Sequence, residues 1–281
     1  MADHSDFELF TSLRYDPSLV QVRARGLSHA GWNWLNYSPL YMLDYHRDRM
    51  LQAATHWGWD AAVEVLSGAT GLERLEKSVM ASLGETQSRS PMKVRVSVTK
   101  DGKLSITSAP VPEKSLANLF PRAFPPPETG QNGDPAQDIH TLSRAPEYEV
   151  LVDHLGSDRS EHTHFKTTKR VVYDGARQRA KIDLQDLKEV LIVNKANGTI
   201  MEGSTSTPYF WRDGRWVTPP VSKEFNLKEG SGGQNGTSRR WALERGLAVE
   251  ESIPVASLVD GEGCWLSTGV RGFFFGRVRL T

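Results

Sequence analysis

Residues 121–136 are the stretch that most limits how this chain folds. The segment reads PRAFPPPETGQNGDPA, with three consecutive prolines at 125–127. Proline lacks a backbone N–H and fixes φ, so such a stretch suits neither a helix interior nor a central strand. We therefore expect a linker here, between a small N-terminal α/β domain over residues 1–120 and a larger C-terminal domain over residues 137–281. Both segments have the length of ordinary domains.

Charge and cysteine content exclude several classes of protein. Lys plus Arg and Asp plus Glu each number 34, so the formal net charge is zero. Proteins that coat nucleic acids or anionic membranes carry a surplus of Lys and Arg, so we expect neither partner. The single cysteine, Cys264, excludes an intramolecular disulfide framework and a thiolate-only zinc site. The 38% of hydrophobic residues is enough for a packed core.

The N-terminus carries no targeting signal that we can identify. Residues 1–6 are acidic and polar, without the basic and apolar regions of a secretory signal. No run approaches the roughly 20 apolar residues that a membrane helix needs. We expect a cytoplasmic protein.

Periodicity predicts several helices. Residues 42–57 carry apolar side chains at helical spacing. Thr70 and Glu73 have the spacing of a capping box, and an apolar stripe follows them, so we expect a helix with Thr70 at its N-terminal end. Further helices are predicted over residues 169–181 and 238–247.

Turn residues predict three hairpins and, with them, the fold class. Their strands and turns are 94–98 and 104–106 around Asp101-Gly102, 190–193 and 199–201 around Asn197-Gly198, and 209–211 and 215–217 around Asp213-Gly214. Asn-Gly and Asp-Gly favour type I′ turns, which we expect at the last two. Residues 148–154 are typical of a buried strand. Because helices precede strand pairs rather than alternate with single strands, we expect an α+β fold with mostly antiparallel sheets flanked by helices.

A glycine-rich segment is the most unusual local feature. Residues 230–236 contain four glycines in seven positions and lead into a predicted helix through Thr237 and Ser238. Helix N-terminal N–H groups, approached by a loop with little side-chain bulk, suit a bound phosphate. Neither a Walker A loop nor a dinucleotide fingerprint fits the spacing. A flexible surface loop before an ordinary capped helix is the alternative.

Other segments carry single residues capable of chemistry. Glu202 ends an apolar strand, where a carboxylate can act as a general acid or base. Lys166 lies near His162 and His164; a lysine in an apolar pocket can be a nucleophile, while the His-x-His pair lacks a third metal ligand nearby, so we expect no metal. Arg49 lies on an apolar helix face, where it either snorkels or meets a buried anion. Each of these has a plain structural alternative as a solvated side chain.

Taken in order, these motifs resemble one family. The chain has H-x-x-R at 46–49, a lysine at 166 before an Arg-containing helix, E-G-S-x-S at 202–206, T-P-P at 218–220, G-T-S-R-R at 236–240 and W-L-S-T-G at 265–269. This order is similar to the class IV aminotransferase superfamily, the fold-type IV pyridoxal 5′-phosphate (PLP) enzymes. That superfamily includes branched-chain and D-amino-acid aminotransferases, (R)-selective amine transaminases and 4-amino-4-deoxychorismate lyases. The resemblance implies a PLP-dependent enzyme of that fold, acting on a small amino substrate as a homodimer.

The resemblance also implies roles for individual residues. Lys166 would form the Schiff base with PLP, since Lys169 is expected inside the following helix. Glu202 would pair with the pyridinium nitrogen and keep it protonated, so that the ring acts as an electron sink. The phosphate would be held by the Arg49 side chain, by the backbone N–H groups of Thr237 and Ser238, and by a hydroxyl of Ser267 or Thr268.

The substrate is less well defined by the sequence. Arg95 and Lys100, on the first hairpin, are the candidates for binding a substrate carboxylate. The motifs F-x-[TS]-x-R at 10–14, K-T-T-x-R at 166–170 and S-x-G-V-R-G at 267–272 are most similar to the fungal and plant lyase-like branch. That similarity implies a 4-amino-4-deoxychorismate lyase, which releases pyruvate and 4-aminobenzoate. A class IV transaminase that transfers an amino group to a keto acid is the alternative, and another phosphorylated ligand on the glycine-rich segment also stays open.

Overall fold

The computed structural model describes residues 7–84, 89–127, 142–183 and 185–280. Residues 1–6 and the part of the predicted linker at 128–136 lie outside these ranges. The chain forms two compact units: Met1–Lys114 with Phe165–Lys169, and Ser115–His164 with Arg170–Thr281. Within the described ranges, no helix is both long and apolar enough to cross a membrane.

Among its described residues, the first unit combines a three-stranded antiparallel sheet with four helices. The strands, in the order β1-β2-β3, are β1 Leu9–Tyr15, β2 Met92–Val98 and β3 Leu104–Pro110. The helices are α1 Trp32–Asn36, α2 Leu43–His56, α3 Asp60–Leu66 and α4 Gly68–Leu83, with 3₁₀ turns at Pro17–Gln21 and Ser28–Ala30. Val94, Val96 and Val98 alternate along β2 and are fully buried, which is the period-2 pattern of a strand with one core-facing side.

The helix over 42–57 and the first hairpin are confirmed in this unit, but the predicted helix cap is wrong. Helix α4 begins at Gly68, with Ser67 at its N-cap and no side-chain capping bond, so Thr70 lies inside the first turn. Helix α3 ends at Leu66, and the positive φ of Gly68, 64°, reverses the chain directly into α4. A capping motif records only local preference, and here this sharp reversal sets the start of the helix.

The second unit is built on an eight-stranded mixed sheet with the order β6-β5-β4-β11-β10-β7-β8-β9. Its strands are β4 Tyr148–Val152, β5 Lys188–Val193, β6 Ile200–Gly203, β7 Thr207–Arg212, β8 Arg215–Thr218, β9 Val249–Glu250, β10 Gly263–Thr268 and β11 Gly272–Val278. Its helices are α5 Leu116–Leu119, α6 Glu161–His164, α7 Val171–Arg179 and α8 Thr237–Glu244, with a 3₁₀ turn at Val255–Ser257. Six of the nine strand pairings among the described residues are antiparallel, which confirms the predicted α+β class.

Two local predictions for the later part of the chain need correction. Lys169 does not lie inside a helix, because α7 begins only at Val171. The backbone before α7 pairs with β1 of the first unit through a bridge from Leu9 to Thr167 and two backbone hydrogen bonds. Propensity alone does not reveal such pairing between distant segments.

The turn at Asn197-Gly198 is also not type I′. That turn needs positive φ at both central residues, and here Gly198 has it (65°) whereas Asn197 does not. Asn194 instead pairs with Thr199 across a longer loop, in which the Asn197 side chain accepts from the Thr199 amide. At Asp213-Gly214 both φ angles are positive, 48° and 76°, so the type I′ prediction is confirmed there.

An aromatic cluster forms part of the interior of the second unit and includes the described start of the predicted linker. The Phe124 ring packs against Tyr209, Trp265 and Phe273 at centroid distances of 5.3, 5.9 and 5.2 Å. The Trp216 indole Nε1 donates to the Phe124 carbonyl oxygen at 3.0 Å. Phe124 is therefore part of the core of the second unit. The domain limits at 120 and 137 stay predictions.

Candidate active site

In the first unit, Lys166 lies on an extended segment that pairs with β1. The Phe10 amide donates to the Lys166 carbonyl oxygen at 3.1 Å, and the Thr168 amide donates to the Glu8 carbonyl oxygen at 3.0 Å. The Lys166 ammonium lies 4.9 Å from the centre of the Phe10 ring. These two bonds and the bridge between Leu9 and Thr167 tie the backbone at Lys166 to β1.

Arg49, on α2, is held by a hydrogen-bond chain that leads to the buried His46 in the same unit. Arg49 Nη2 donates to Thr11 Oγ1 at 2.7 Å, and Thr11 Oγ1 lies 2.6 Å from His46 Nδ1. Complete burial, followed by the positive charges of Arg49 and Lys166, holds the pKa of His46 well below its ordinary value. A guanidinium can only donate, so the Thr11 hydroxyl accepts from Arg49 and directs its one proton to His46 Nδ1, which is an acceptor in the tautomer protonated at Nε2. The sequence analysis gave no role to Thr11 and included His46 only in the H-x-x-R motif.

We expect His46 to make the protein less stable in acid. In the unfolded chain a histidine has a pKa of about 6.5, so below that pH the unfolded state binds a proton that the folded state does not. The free energy of unfolding should then fall by up to about 1.4 kcal/mol per pH unit until the folded-state pKa is reached. His46→Asn keeps an acceptor for Thr11 and removes this titration, so its stability should depend less on pH.

Urea unfolding at about pH 7.5 and pH 5.5, on either side of the ordinary histidine pKa, measures this difference. His154 is exposed, and His154→Asn, as the matched control, should keep the pH dependence of the wild type. Equal pH dependence in wild type and His46→Asn would contradict the prediction.

In the second unit, Glu202 lies on β6 and is buried in a small polar network. Tyr173 Oη, from α7, donates to Glu202 Oε1 at 2.5 Å, and the backbone N–H of Gln234 donates to the same oxygen at 3.2 Å. Gln234 Nε2 donates to Tyr173 Oη at 2.9 Å. Glu202 is therefore oriented by α7 and by the glycine-rich segment, two elements far from it in sequence.

The glycine-rich segment packs on β6 and is not a flexible surface loop. A Cβ atom at Gly233 would lie 2.5 Å from the Met201 carbonyl oxygen, so only glycine allows this approach. Asn194 Nδ2 donates to the Ser231 carbonyl oxygen at 2.9 Å, and Ser231 Oγ donates to the Met201 carbonyl oxygen at 3.2 Å. The segment thus has a fixed path that leads from Glu202 to the start of α8.

The N-terminus of α8 lies beside a cluster of buried hydroxyl groups. Ser238 Oγ donates to Ser267 Oγ at 2.9 Å, and Tyr209 Oη lies 2.9 Å from the same Ser267 oxygen. Thr237 and Ser238 form the first turn, where backbone N–H groups and the helix dipole favour an anion. Thr268 serves a different purpose, since its Oγ1 accepts from the Val270 and Arg271 amides in the turn after β10. The structure therefore brings Ser267, rather than Thr268, next to Ser238.

Glu189 stabilises the turn that follows Glu202 and was missed by sequence reasoning. It is 1% exposed, on β5, and accepts from the hydroxyls of Ser204, Thr205 and Ser206 at 2.5, 2.6 and 2.8 Å. A carboxylate inside an apolar strand, with a hydroxyl-rich turn nearby in sequence, is the signal that would have found it. These bonds fix the path of the chain directly after β6.

The His-x-His pair is not surrounded by further metal ligands. His162 and His164 end helix α6, and the His164 ring lies 5.9 Å from the Phe225 ring. Across the ranges that the structure describes, no three His, Cys, Asp or Glu side chains form a group that could hold a metal ion.

Comparison with known proteins places these residues in a family. The sequence model described as amino-transferase class IV matches residues 31–277. The aminodeoxychorismate lyase of Saccharomyces cerevisiae is 28% identical over 209 residues, which cover 66% of this chain and 51% of the yeast protein. The chain therefore spans about half the length of this curated relative.

Solved structures show the same fold at low identity. A protein from Mesorhizobium loti, assigned as an amino-acid aminotransferase, has a TM-score of 0.61 at 20% identity and covers 98% of this chain and 100% of its own. A hypothetical aminotransferase from Mycobacterium tuberculosis, in its PLP-bound form, has a TM-score of 0.57 at 14% identity over 97% of this chain and 80% of its own.

Proposed function

This chain belongs to the class IV aminotransferase family, whose members are enzymes that use PLP, and from that membership we propose that it is a 4-amino-4-deoxychorismate lyase. The observation that carries the choice of lyase is the similarity to the yeast aminodeoxychorismate lyase over 209 residues. The lyase-like motifs at 10–14, 166–170 and 267–272 support the same choice. A class IV transaminase is the second candidate, supported by the fold shared with the Mesorhizobium loti protein.

The donor set of this chain fits PLP. A phosphate dianion is matched by the N-terminus of α8 and the paired hydroxyls of Ser238 and Ser267, which lie 2.9 Å apart. A protonated ring nitrogen is matched by the buried carboxylate of Glu202. An aldehyde is matched by the amine of Lys166, whose backbone carbonyl oxygen accepts from the Phe10 amide on β1. We propose that these residues, with Arg49 and Thr237, hold the cofactor.

The reaction is derived from what these side chains do. When bound, PLP supplies an electron sink for charge that develops at the amino-bearing carbon of the substrate. Lys166 Nζ accepts the proton from that carbon, and the Glu202 carboxylate stays paired with the ring nitrogen. The ether bond between the substrate's six-membered ring and its enolpyruvyl group breaks as that ring becomes aromatic. The enolpyruvyl leaving group takes up a proton to become pyruvate. Pyruvate and 4-aminobenzoate together account for every atom of the substrate, so no amino acceptor is needed.

Product formation without an acceptor tests this proposal. PLP-loaded protein is mixed with 4-amino-4-deoxychorismate alone, and 4-aminobenzoate and pyruvate are measured in parallel. Equal amounts of both products, independent of any added keto acid, are expected. Turnover that depends strictly on an added keto acid would contradict the lyase and favour the transaminase.

Arg95, on β2, is proposed to bind a substrate carboxylate. Its guanidinium lies 4.1 Å from the centre of the Phe10 ring, the same ring that the Lys166 ammonium approaches. In the part of the chain that the structure describes, no carboxylate lies within ion-pair distance of Arg95. An arginine near the amine, with no acidic partner of its own among these residues, suits an anionic substrate.

We therefore expect Arg95→Met to weaken substrate binding more than turnover. Loss of a charge-assisted hydrogen bond of about 1.5–3 kcal/mol corresponds to a rise in KM of about 10- to 100-fold, with little change in kcat. Methionine keeps an unbranched stem against Phe10. Lys103, on the same hairpin, is exposed, and Lys103→Met is the matched control, with an unchanged KM. A fall in kcat at constant KM in Arg95→Met would argue against this role.

Assembly and location are proposed on the family resemblance alone. We propose a homodimer in the cytoplasm. Light scattering of the purified protein measures the mass of the assembly against 31.3 kDa for one chain. A monomer that releases both products at full rate would contradict the need for a dimer.

A further inference from the structure

Tyr173 packs its ring in an apolar cluster on one side, and the guanidinium of Arg170, at the start of the same helix, lies 4.8 Å from the ring centre. Its ring packs in a core cluster with Ala176, Ile182, Val190, Ile192 and Met201, and the residue is 2% exposed. Phenylalanine would serve this packing equally well, and burial of a hydroxyl is costly unless the group is hydrogen-bonded. The hydroxyl must therefore be explained by its polar partners.

The hydroxyl of Tyr173 has a single proton, which decides which of its partners accepts from it and which donates to it. A tyrosine has one O–H, and two acceptors lie near it: Glu202 Oε1 at 2.5 Å and the Thr163 carbonyl oxygen at 3.2 Å. The nearer acceptor, a carboxylate, takes the proton, since charge-assisted bonds are shorter and stronger. Gln234 Nε2 donates to the tyrosine oxygen at 2.9 Å. The polarity thus runs from Gln234 through Tyr173 to Glu202.

Tyr173 does not lose the proton that it donates to Glu202. Burial, followed by the nearby charge of Glu202, raises the pKa of Tyr173 well above its ordinary value. The hydroxyl therefore keeps its proton over the range in which an enzyme works. The backbone N–H of Gln234 is a second donor to the same Glu202 oxygen, at 3.2 Å. Two donors from separate elements fix the carboxylate on β6 and keep it an acceptor.

We propose that Tyr173 is a positioning residue, whose hydroxyl, supported by Gln234, orients the Glu202 carboxylate as the hydrogen-bond acceptor for the protonated ring nitrogen of the cofactor. The inference rests on the proposed function, in which Glu202 has that partner. Tyr173 itself touches neither cofactor nor substrate in this proposal. It acts through Glu202, and its removal leaves the amine and the phosphate-binding groups in place.

The test is Tyr173→Phe, which keeps the ring and removes only the hydroxyl. Loss of one donor should make Glu202 easier to protonate, so the acid limb of the kcat profile should move to higher pH, with kcat about tenfold lower and KM little changed. The visible spectrum of the PLP-loaded protein, recorded against pH without substrate, should shift in the same direction. A role limited to packing would move neither profile.

Tyr148→Phe is the matched control. Tyr148 is also buried in the second unit, but its hydroxyl accepts from Arg271 Nη1 at 3.3 Å and its ring packs on Phe274, so both profiles should match the wild type. Tyr173→Phe with the wild-type kcat profile and spectrum would overturn the inference. A wild type that takes up PLP but releases no 4-aminobenzoate would contradict the lyase proposal alone, because the spectral profile still decides the role of Tyr173. A wild type that takes up no PLP would overturn both.

Discussion

Lys166→Ala is expected to abolish turnover, with a loss in kcat of at least about a thousandfold. In the proposed mechanism Lys166 both holds the cofactor and moves the substrate proton, and alanine can do neither. The pairing of this segment with β1 uses only backbone atoms at residue 166, including the bond from the Phe10 amide. The variant should therefore fold like the wild type, and its melting temperature should change little.

The visible spectrum and product release together measure this effect. Wild type and variant are supplied with PLP and desalted, and the wild type should keep a visible cofactor band that the variant lacks. Lys169→Ala is the matched control, since Lys169 lies on the same segment with its ammonium 5.4 Å from the Phe7 ring. Loss of the band in Lys169→Ala, with the band kept in Lys166→Ala, would show that Lys169 and not Lys166 binds the cofactor.

Glu202→Gln is expected to have the second largest effect, with kcat lower by about 100-fold. The amide is nearly isosteric, and its oxygen can still accept from Tyr173 and from the Gln234 amide, which now reach Glu202 Oε1 at 2.5 and 3.2 Å. It carries no charge, however, and so cannot keep a ring nitrogen protonated. The fold and cofactor binding should survive while the electron sink is weakened.

Absorbance and kinetics separate this variant from Lys166→Ala. Glu202→Gln should keep a visible band, at an altered position, and a KM near that of the wild type. Glu149→Gln is the control: Glu149 lies on β4, 3.7 Å from Lys188 in a half-exposed ion pair, and its loss should leave kcat unchanged. A kcat in Glu202→Gln above half that of the wild type would remove Glu202 from the proposed mechanism.

The elements that could be predicted are those whose signals lie close together in the chain. Helix α2 follows from a 3.6-residue apolar period, and the hairpin at Asp213-Gly214 follows from two residues that accept positive φ. The same reasoning failed at Asn197, where pairing of Asn194 with Thr199 sets a longer loop. It also failed at Lys169, which precedes its helix because the segment before it pairs with β1.

The residues of the candidate site also fall into those that could be predicted from the sequence and those that could not. Lys166, Glu202, Arg49 and the start of α8 could be proposed from the sequence, because the order of their motifs resembles class IV aminotransferases, the family whose model matches residues 31–277. The residues that hold these groups in place could not be predicted from the sequence. Tyr173 and Glu202 are 29 positions apart, and Thr11 and Arg49 are 38 apart, with no local pattern linking either pair.

By itself, therefore, the sequence determined the family and the cofactor class, through an order of motifs that resembles class IV aminotransferases, and it supplied the proposal for the chemical groups of the site. Only the tertiary structure decided how those groups are held: a neutral His46 and Thr11 at Arg49, Tyr173 and Gln234 at Glu202, and Glu189 under the turn that follows. The physical reason is that hydrogen bonds between distant segments arise from sheet register and helix packing. Local propensity does not encode either of these.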